Sequence, residues 1–167
     1  MGMFEFITEF RALHDKAKKG ALTPGERARY ETARLQFGRM VAVAQELAHT
    51  GKTLRSSLRM AKMLKVEIRP DDGDPVRAST IDLASGGFAV LLPTGMRVGR
   101  PAAFTLHLPA LTGTGTAPIE GRAVVASSRP QTTLFRVSFR FENLAPSATQ
   151  HLDMALVDAV LERFTKP

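Results

Sequence analysis

Between Phe135 and Phe141 the chain reads Phe-Arg-Val-Ser-Phe-Arg-Phe, with every second residue apolar and Arg or Ser between. Successive side chains of an extended strand point to opposite faces, so this run has one dry face and one wet face. Such a strand persists only inside a sheet whose dry face is covered. Other segments can supply the sheet. Met63-Leu64-Lys65-Val66-Glu67-Ile68-Arg69 alternates with the same period and is followed by a turn, Pro70-Asp71-Asp72-Gly73-Asp74-Pro75. Val76 to Leu83 and Phe88 to Leu92 read as a hairpin around Ala84-Ser85-Gly86-Gly87, and further strands are predicted at Ala102–Leu108, Ile119–Ser127 and Leu134–Glu142. About six short strands at regular spacing predict a small antiparallel barrel or sandwich.

Before residue 60 the period is helical. Met3, Phe6, Phe10, Leu13 and Ala17 recur at steps of three and four, and Gly20 stops the helix behind the basic group Lys16, Lys18 and Lys19. Thr23-Pro24-Gly25-Glu26 has the form of a capping box with proline at the first helical position. From there Tyr30, Ala33, Phe37, Met40, Ala44 and Leu47 keep a heptad spacing that ends near Thr50-Gly51. A short connection makes these two helices an antiparallel hairpin, and the apolar stripes serve either as its internal packing face or as a homodimer interface. Ser147-Ala148-Thr149-Gln150 also has capping-box form and opens a last helix through Leu152, Leu156, Val160 and Phe164, expected to plug the open end of the barrel.

The predicted organisation is a helical hairpin over 1–51, a basic linker over 52–60, a barrel over 61–145 and a C-terminal helix over 146–167. With 167 residues, 44% apolar and 23% charged, the chain can bury a core without metal or disulfide help. It has no cysteine, which excludes a disulfide scaffold, thiolate metal sites and thiol nucleophiles. No apolar run reaches membrane-spanning length, and the sequence Met-Gly-Met-Phe-Glu-Phe lacks the features of a signal peptide. The expectation is a soluble, cytoplasmic protein with no membrane span.

The net charge of +7 is unevenly placed. All of it lies in the first seventy residues, while the remainder balances. Lys52, Arg55, Arg59, Lys62, Lys65 and Arg69 stand against Glu67 alone. Such a segment is either an anion-binding surface or a solvated charge run.

Catalytic constellations are missing. His14, His49, His107 and His151 are scattered without ligand spacing, and no nucleophile elbow or zinc-protease helix is present. Gly51-Lys52-Thr53 resembles the end of a phosphate-binding loop, yet Glu46 stands at the first glycine position and the segment follows a helix rather than a strand. One Tyr and no Trp leave no stacking platform for nucleic acid, which is not an expected partner. No metal and no cofactor are expected, and the chain is read as a non-enzyme.

Two features remain. Arg55-Ser56-Ser57-Leu58-Arg59 sets two guanidinium groups four residues apart, just before the first alternating strand. Asp82-Leu83-Ala84-Ser85-Gly86-Gly87 sets a carboxylate and a glycine pair at a hairpin. In order, separation and strand context these resemble the PilZ domain family, with its Arg-x-x-x-Arg motif and its Asp/Asn-x-Ser-x-x-Gly motif. The run Phe135 to Leu144 resembles the family's closing strand, so the resemblance covers roughly residues 52–145.

The resemblance implies an α+β fold: a six-stranded antiparallel PilZ-like β-barrel, here with an N-terminal helical hairpin and a C-terminal helix. It implies a non-catalytic bacterial signalling module that binds cyclic di-GMP and relays it to an unidentified protein partner in motility or surface-structure regulation. The alternative is an adaptor that acts through protein contacts without the nucleotide. Arg55 and Arg59 would clamp phosphate and guanine, Asp82 would read the base edge, and Gly87 would hold the turn. Lys52, Ala84, Ser85 and Gly86 are further candidates. The chemistry suits a dianion carrying two guanines. An arginine fork bridges phosphate or pairs with guanine O6 and N7, a carboxylate accepts from guanine N1–H and N2–H, and glycine lets backbone approach closely.

The departure is Ala84, where the family has serine. Ser85 is displaced by one position and cannot replace it on a strand. A neutral hydrogen bond contributes about 0.5–1.5 kcal/mol net, at most roughly tenfold in affinity. A micromolar site holds about 8 kcal/mol, so its loss weakens binding without abolishing it.

Overall fold

The computed structural model describes residues 2–47 and 59–163. They form helices α1 (Met3–Lys18) and α2 (Pro24–Leu47), strands β1 (Arg59–Met60), β2 (Lys65–Pro70), β3 (Val76–Ala84), β4 (Gly87–Leu92), β5 (Pro101–Pro109), β6 (Thr116–Gln131) and β7 (Leu134–Leu144), and helix α3 (Pro146–Arg163). Two compact units result, one of Met1–Leu58 with Val160–Pro167, the other of Arg59–Ala159.

In the helical unit, local chemistry sets the helix ends. Gly20 takes a left-handed φ of 68°, its N–H donates to Ala17 O at 3.1 Å, and Ala21 N–H donates to Lys16 O at 2.9 Å. This pair of bonds is a Schellman stop, which favours glycine at that position. Three residues later Glu26 N–H donates to Thr23 Oγ1 and Thr23 N–H donates to Glu26 Oε1, both at 3.2 Å, so the expected capping box forms. Lys16 Nζ adds a 2.7 Å bond to Glu26 Oε2.

The core of this unit holds Phe10, His14, Tyr30 and Phe37. The rings of Phe10 and Phe37 lie 4.8 Å apart, and those of Phe10 and Tyr30 lie 5.8 Å apart. His14 is not a stray surface residue. It is fully buried, with Nδ1 at 2.8 Å from Tyr30 Oη. Val41 rather than Met40 joins the core. A strict heptad assumes 3.5 residues per turn. At 3.6 residues per turn Val41 returns to within about 20° of Tyr30, whereas Met40 lies about 80° away. Met3 is exposed, so the α1 stripe is buried only from Phe10 onward. The expected helix stop at Thr50-Gly51 and the stripe position Phe164 lie outside the described residues.

The second unit is a closed antiparallel barrel. Its strands run in the order β3-β2-β5-β6-β7-β4, and β4 pairs back onto β3. Residues at period two fill the inside: Val66 and Ile68 from β2, Phe104, Leu106 and Leu108 from β5, Val137 and Phe139 from β7. Phe88 and Phe139 stack at 5.0 Å, and Phe104 and Phe141 approach to 5.2 Å. The buried rings of Phe88, Phe104 and Phe139 each contribute about 1.5–3 kcal/mol relative to exposure.

The first barrel strand starts later than its alternation suggests, at Lys65 rather than Met63. The reason is Thr80. Its Oγ1 accepts from Leu64 N–H at 3.0 Å and donates to Lys62 O at 2.7 Å, while its own N–H donates to Leu64 O at 2.8 Å. This buried threonine satisfies the connection between β1 and β2 with a side chain in place of a ladder. The short β1 then occupies the same edge of β3 as β2, with Arg59 opposite Ala84 and Met60 opposite Leu83.

Helix α3 begins at Pro146, so Ser147 lies inside the helix rather than at its cap. Proline suits the first helical position because its missing N–H would lack an intrahelical partner there. Leu152 and Leu156 are buried, and His151 Nε2 lies 2.9 Å from Pro109 O, which ties α3 to the end of β5.

Candidate ligand-binding face

One irregularity in β3 builds the site. Thr80 faces Val90 and Asp82 faces Ala89, so Ile81 is an extra residue on the β3 side, a β-bulge. Simple alternation from the buried Thr80 would aim Asp82 into the barrel. The bulge resets the phase: Leu83 points inward and is fully buried, while Asp82 and Ala84 share the outer face. A carboxylate is thereby kept out of an interior of phenylalanines, where it would be costly.

On that face Asp82 meets arginine. Arg59 Nη1 donates to Asp82 Oδ2 at 3.1 Å, and the two side chains are 36% and 23% exposed. The pair joins residues 23 positions apart because β1 lies against the end of β3. Arg59 Nε is buried without a hydrogen-bond partner. Arg59 was expected in the linker before the first strand; it is itself a strand residue, which fixes its backbone beside Ala84.

Ala84 pairs with both Arg59 and Gly87, so a serine hydroxyl at that position would emerge beside the Arg59–Asp82 pair. Ser85 and Gly86 form the two-residue turn between β3 and β4, and both are exposed. Ser85 is a turn residue and not a strand position, which is why it does not replace the missing hydroxyl. Gly87 does not hold the turn. It sits in β4, where a Cβ would collide with Phe139 O and lie 3.2 Å from Arg140 Cα on β7. Only glycine permits β4 and β7 to pair this closely beneath the site. Gly86 has open space around it. Lys52 and Arg55 lie outside the described residues.

Sequence reasoning missed Arg136. Its Nη2 donates to the same Asp82 Oδ2 at 3.4 Å, across β4 from β7. The alternation of β7 marks Arg136 as outward-facing, but its meeting with Asp82 depends on the register of three strands and on the Ile81 bulge. Among the described residues no group of three or more His, Cys, Asp or Glu could hold a metal ion, and no helix is long and apolar enough to cross a membrane.

The PilZ domain family profile matches residues 53–158, which includes the whole barrel and both motifs. This chain belongs to the PilZ domain family. Among solved structures, the PilZ domain matches the Bacillus subtilis inhibitor of motility MotI/DgrA with a TM-score of 0.58 at 22% identity, over 67% of this chain and 54% of that one. It matches the PilZ domain of YcgR from Escherichia coli, solved with c-di-GMP, with a TM-score of 0.52 at 21% identity, over 66% of this chain and 95% of that domain. The K. pneumonia MrkH–c-di-GMP complex matches with a TM-score of 0.54 at 18% identity, over 70% of this chain and 57% of that one. These likenesses are of fold, and the chain spans little more than half of the MotI/DgrA and MrkH chains. No curated protein matches the sequence.

Proposed function

We propose that this PilZ domain is a non-catalytic receptor module that binds cyclic di-GMP on the outer face of its barrel and passes the signal to a protein partner. The observation that carries this reading is the Arg59–Asp82 pair, in which the second arginine of one motif meets the acid of the other at 3.1 Å. A guanidinium and a carboxylate side by side, half exposed, complement a phosphate and the N–H edge of a guanine. Arg55 would complete the clamp from the basic segment, with Lys52 adding charge. Gly87 acts by letting the strands close and not by touching ligand. Two of the structural neighbours, YcgR and MrkH, were solved with this nucleotide, and a third is a motility inhibitor, which supports an output in motility or surface-structure regulation.

The mechanism we propose is a hinge. A ligand gripped by Arg55 and Arg59 would draw the basic segment 52–59 against the barrel face and so turn the helices toward the partner. Phe4 and Leu35, exposed on α1 and α2, supply apolar surface for that partner to cover.

Isothermal titration of the folded full chain with cyclic di-GMP tests the reading. A dissociation constant in the micromolar range, weakened more than tenfold by Arg59→Ala, is the expected result. No heat at tens of micromolar protein would overturn the nucleotide half. Ala84 at the serine position favours the second reading, a nucleotide-independent adaptor, and under that reading Arg59→Ala leaves partner binding unchanged.

A further inference from the structure

We propose that Arg136 is a ligand-binding residue of this face, exchanging Asp82 for a phosphate of the bound dinucleotide while Arg59 holds the rest of the clamp. This rests on the cyclic di-GMP reading above and names a residue that neither family motif contains.

Arg136 and Arg59 compete for one oxygen. Both donate to Asp82 Oδ2, Arg59 at 3.1 Å and Arg136 at the longer 3.4 Å, where a hydrogen bond is weak. Asp82 thus offers a single charge to two guanidinium groups. The Arg136 bond is the one that yields readily to a better acceptor.

The surroundings of Arg136 favour an anion. Arg129 on β6 is its direct cross-strand partner, so both side chains stand on the same outer face. Like charges directly opposite each other on neighbouring strands repel. Arg140, two pleats further along β7, faces outward as well and pairs with Gly87. Among the described residues neither Arg129 nor Arg140 has a carboxylate partner. Asp82 therefore meets both Arg59 and Arg136, while Arg129 and Arg140 add further positive charge on the same outer face beside Arg136 and Gly87. An incoming dianion relieves this imbalance and releases Asp82 to accept from guanine N–H groups. Arg136 is chosen over Arg129 and Arg140 because it is half-buried and already directed at the centre of the site.

Calorimetric titration of the full chain with cyclic di-GMP, at several salt concentrations, tests the inference with three variants. Arg136→Gln should weaken binding at least tenfold and flatten its salt dependence, because a screened charge contact has been removed. Arg136→Lys should recover part of the loss, since charge returns without the planar fork. Arg77→Gln, an exposed position elsewhere on β3, should leave affinity unchanged. Thermal melts of the unliganded variants show that each is folded. Wild-type binding with Arg136→Gln within twofold of it overturns this inference alone. Weakened binding with an unchanged salt dependence also overturns it, because Arg136 would then only orient Asp82. A folded wild type that binds nothing overturns the cyclic di-GMP reading, and this inference with it.

Discussion

Arg59 and Arg136 reach a single oxygen, Oδ2 of Asp82, from strands on either side of β3. A carboxylate so placed holds two cations in position before any ligand arrives, and preorganisation of this kind lowers the ordering cost of binding. The neighbouring positions on the same face yield the clearest experiments.

Ala84 lies on the outer face beside Arg59 and Gly87. Ala84→Ser returns a hydroxyl to the place where the family motif has one, and its net hydrogen bond is worth about 0.5–1.5 kcal/mol. The expected outcome is a roughly two- to tenfold gain in affinity for cyclic di-GMP by calorimetry. The equivalent change at the turn, Ser85→Ala, should leave affinity unaltered.

Gly87 has no room for a side chain, since a Cβ would press into the backbone of Phe139. Overpacking of this kind costs about 1–3 kcal/mol or more. Gly87→Ala should lower the thermal midpoint by several degrees, at about 2–4 °C for each kcal/mol in a chain of this size. Gly86→Ala, next to it in the open turn, should change the midpoint little. Equal melting of the two variants would refute the packing explanation.

Thr132 has a φ of 51° in the two-residue turn between β6 and β7. That conformation costs a β-branched residue about 1–3 kcal/mol and costs glycine almost nothing. Thr132→Gly should therefore raise the thermal midpoint by a few degrees despite the added freedom of the unfolded chain. A lower midpoint would show the turn to be unstrained.

Glu26 links pH to the helical hairpin. The hydrogen bond from Lys16, followed by those within the Thr23 cap, lowers its pKa from 4.5 to about 2. A carboxylate depressed in the folded state stabilises fully above its unfolded value, and that contribution fades as pH falls from about 4.5 to about 2. Carboxyl chemical shifts in the full chain should show Glu26 still ionised at pH 3. Glu26→Gln should remove its share of the stability difference between pH 6 and pH 3, measured by thermal melts. A Glu26 titrating near 4.5 would contradict the Lys16 contact.

What could be read along the chain was local. The Gly20 stop, the Thr23–Glu26 box and the alternation of β7 each depend on neighbours within a few residues, and all three are present in the folded protein. The hairpin of β3 and β4 was legible from its turn residues, though not its bulge. Nothing in the letters around Ile81 marks the extra residue, because the bulge exists only relative to β4. Arg136 and Asp82 are 54 positions apart and meet only through strand register. The Arg-x-x-x-Arg and Asp82 motifs were visible as residue types, and their resemblance to a family carried the expected fold. The pairing of Arg59 as a strand residue was not visible, since a two-residue strand has no periodicity. His14 and Tyr30 escaped for the same reason as Arg136: one polar contact between two helices leaves no pattern in either.

The Ile81 bulge has an evolutionary edge. A β3 that kept Ile81 but paired with β4 in simple alternation would keep every letter of that motif while inverting it, turning the acid toward the phenylalanines and the leucine toward water. A relative could thus pass any spelling check for the motif and yet be deaf to its ligand. Ironing out that one irregularity would silence a receptor as surely as losing an arginine, whereas a chain lacking Ile81 altogether would still turn its acid outward opposite Ala89.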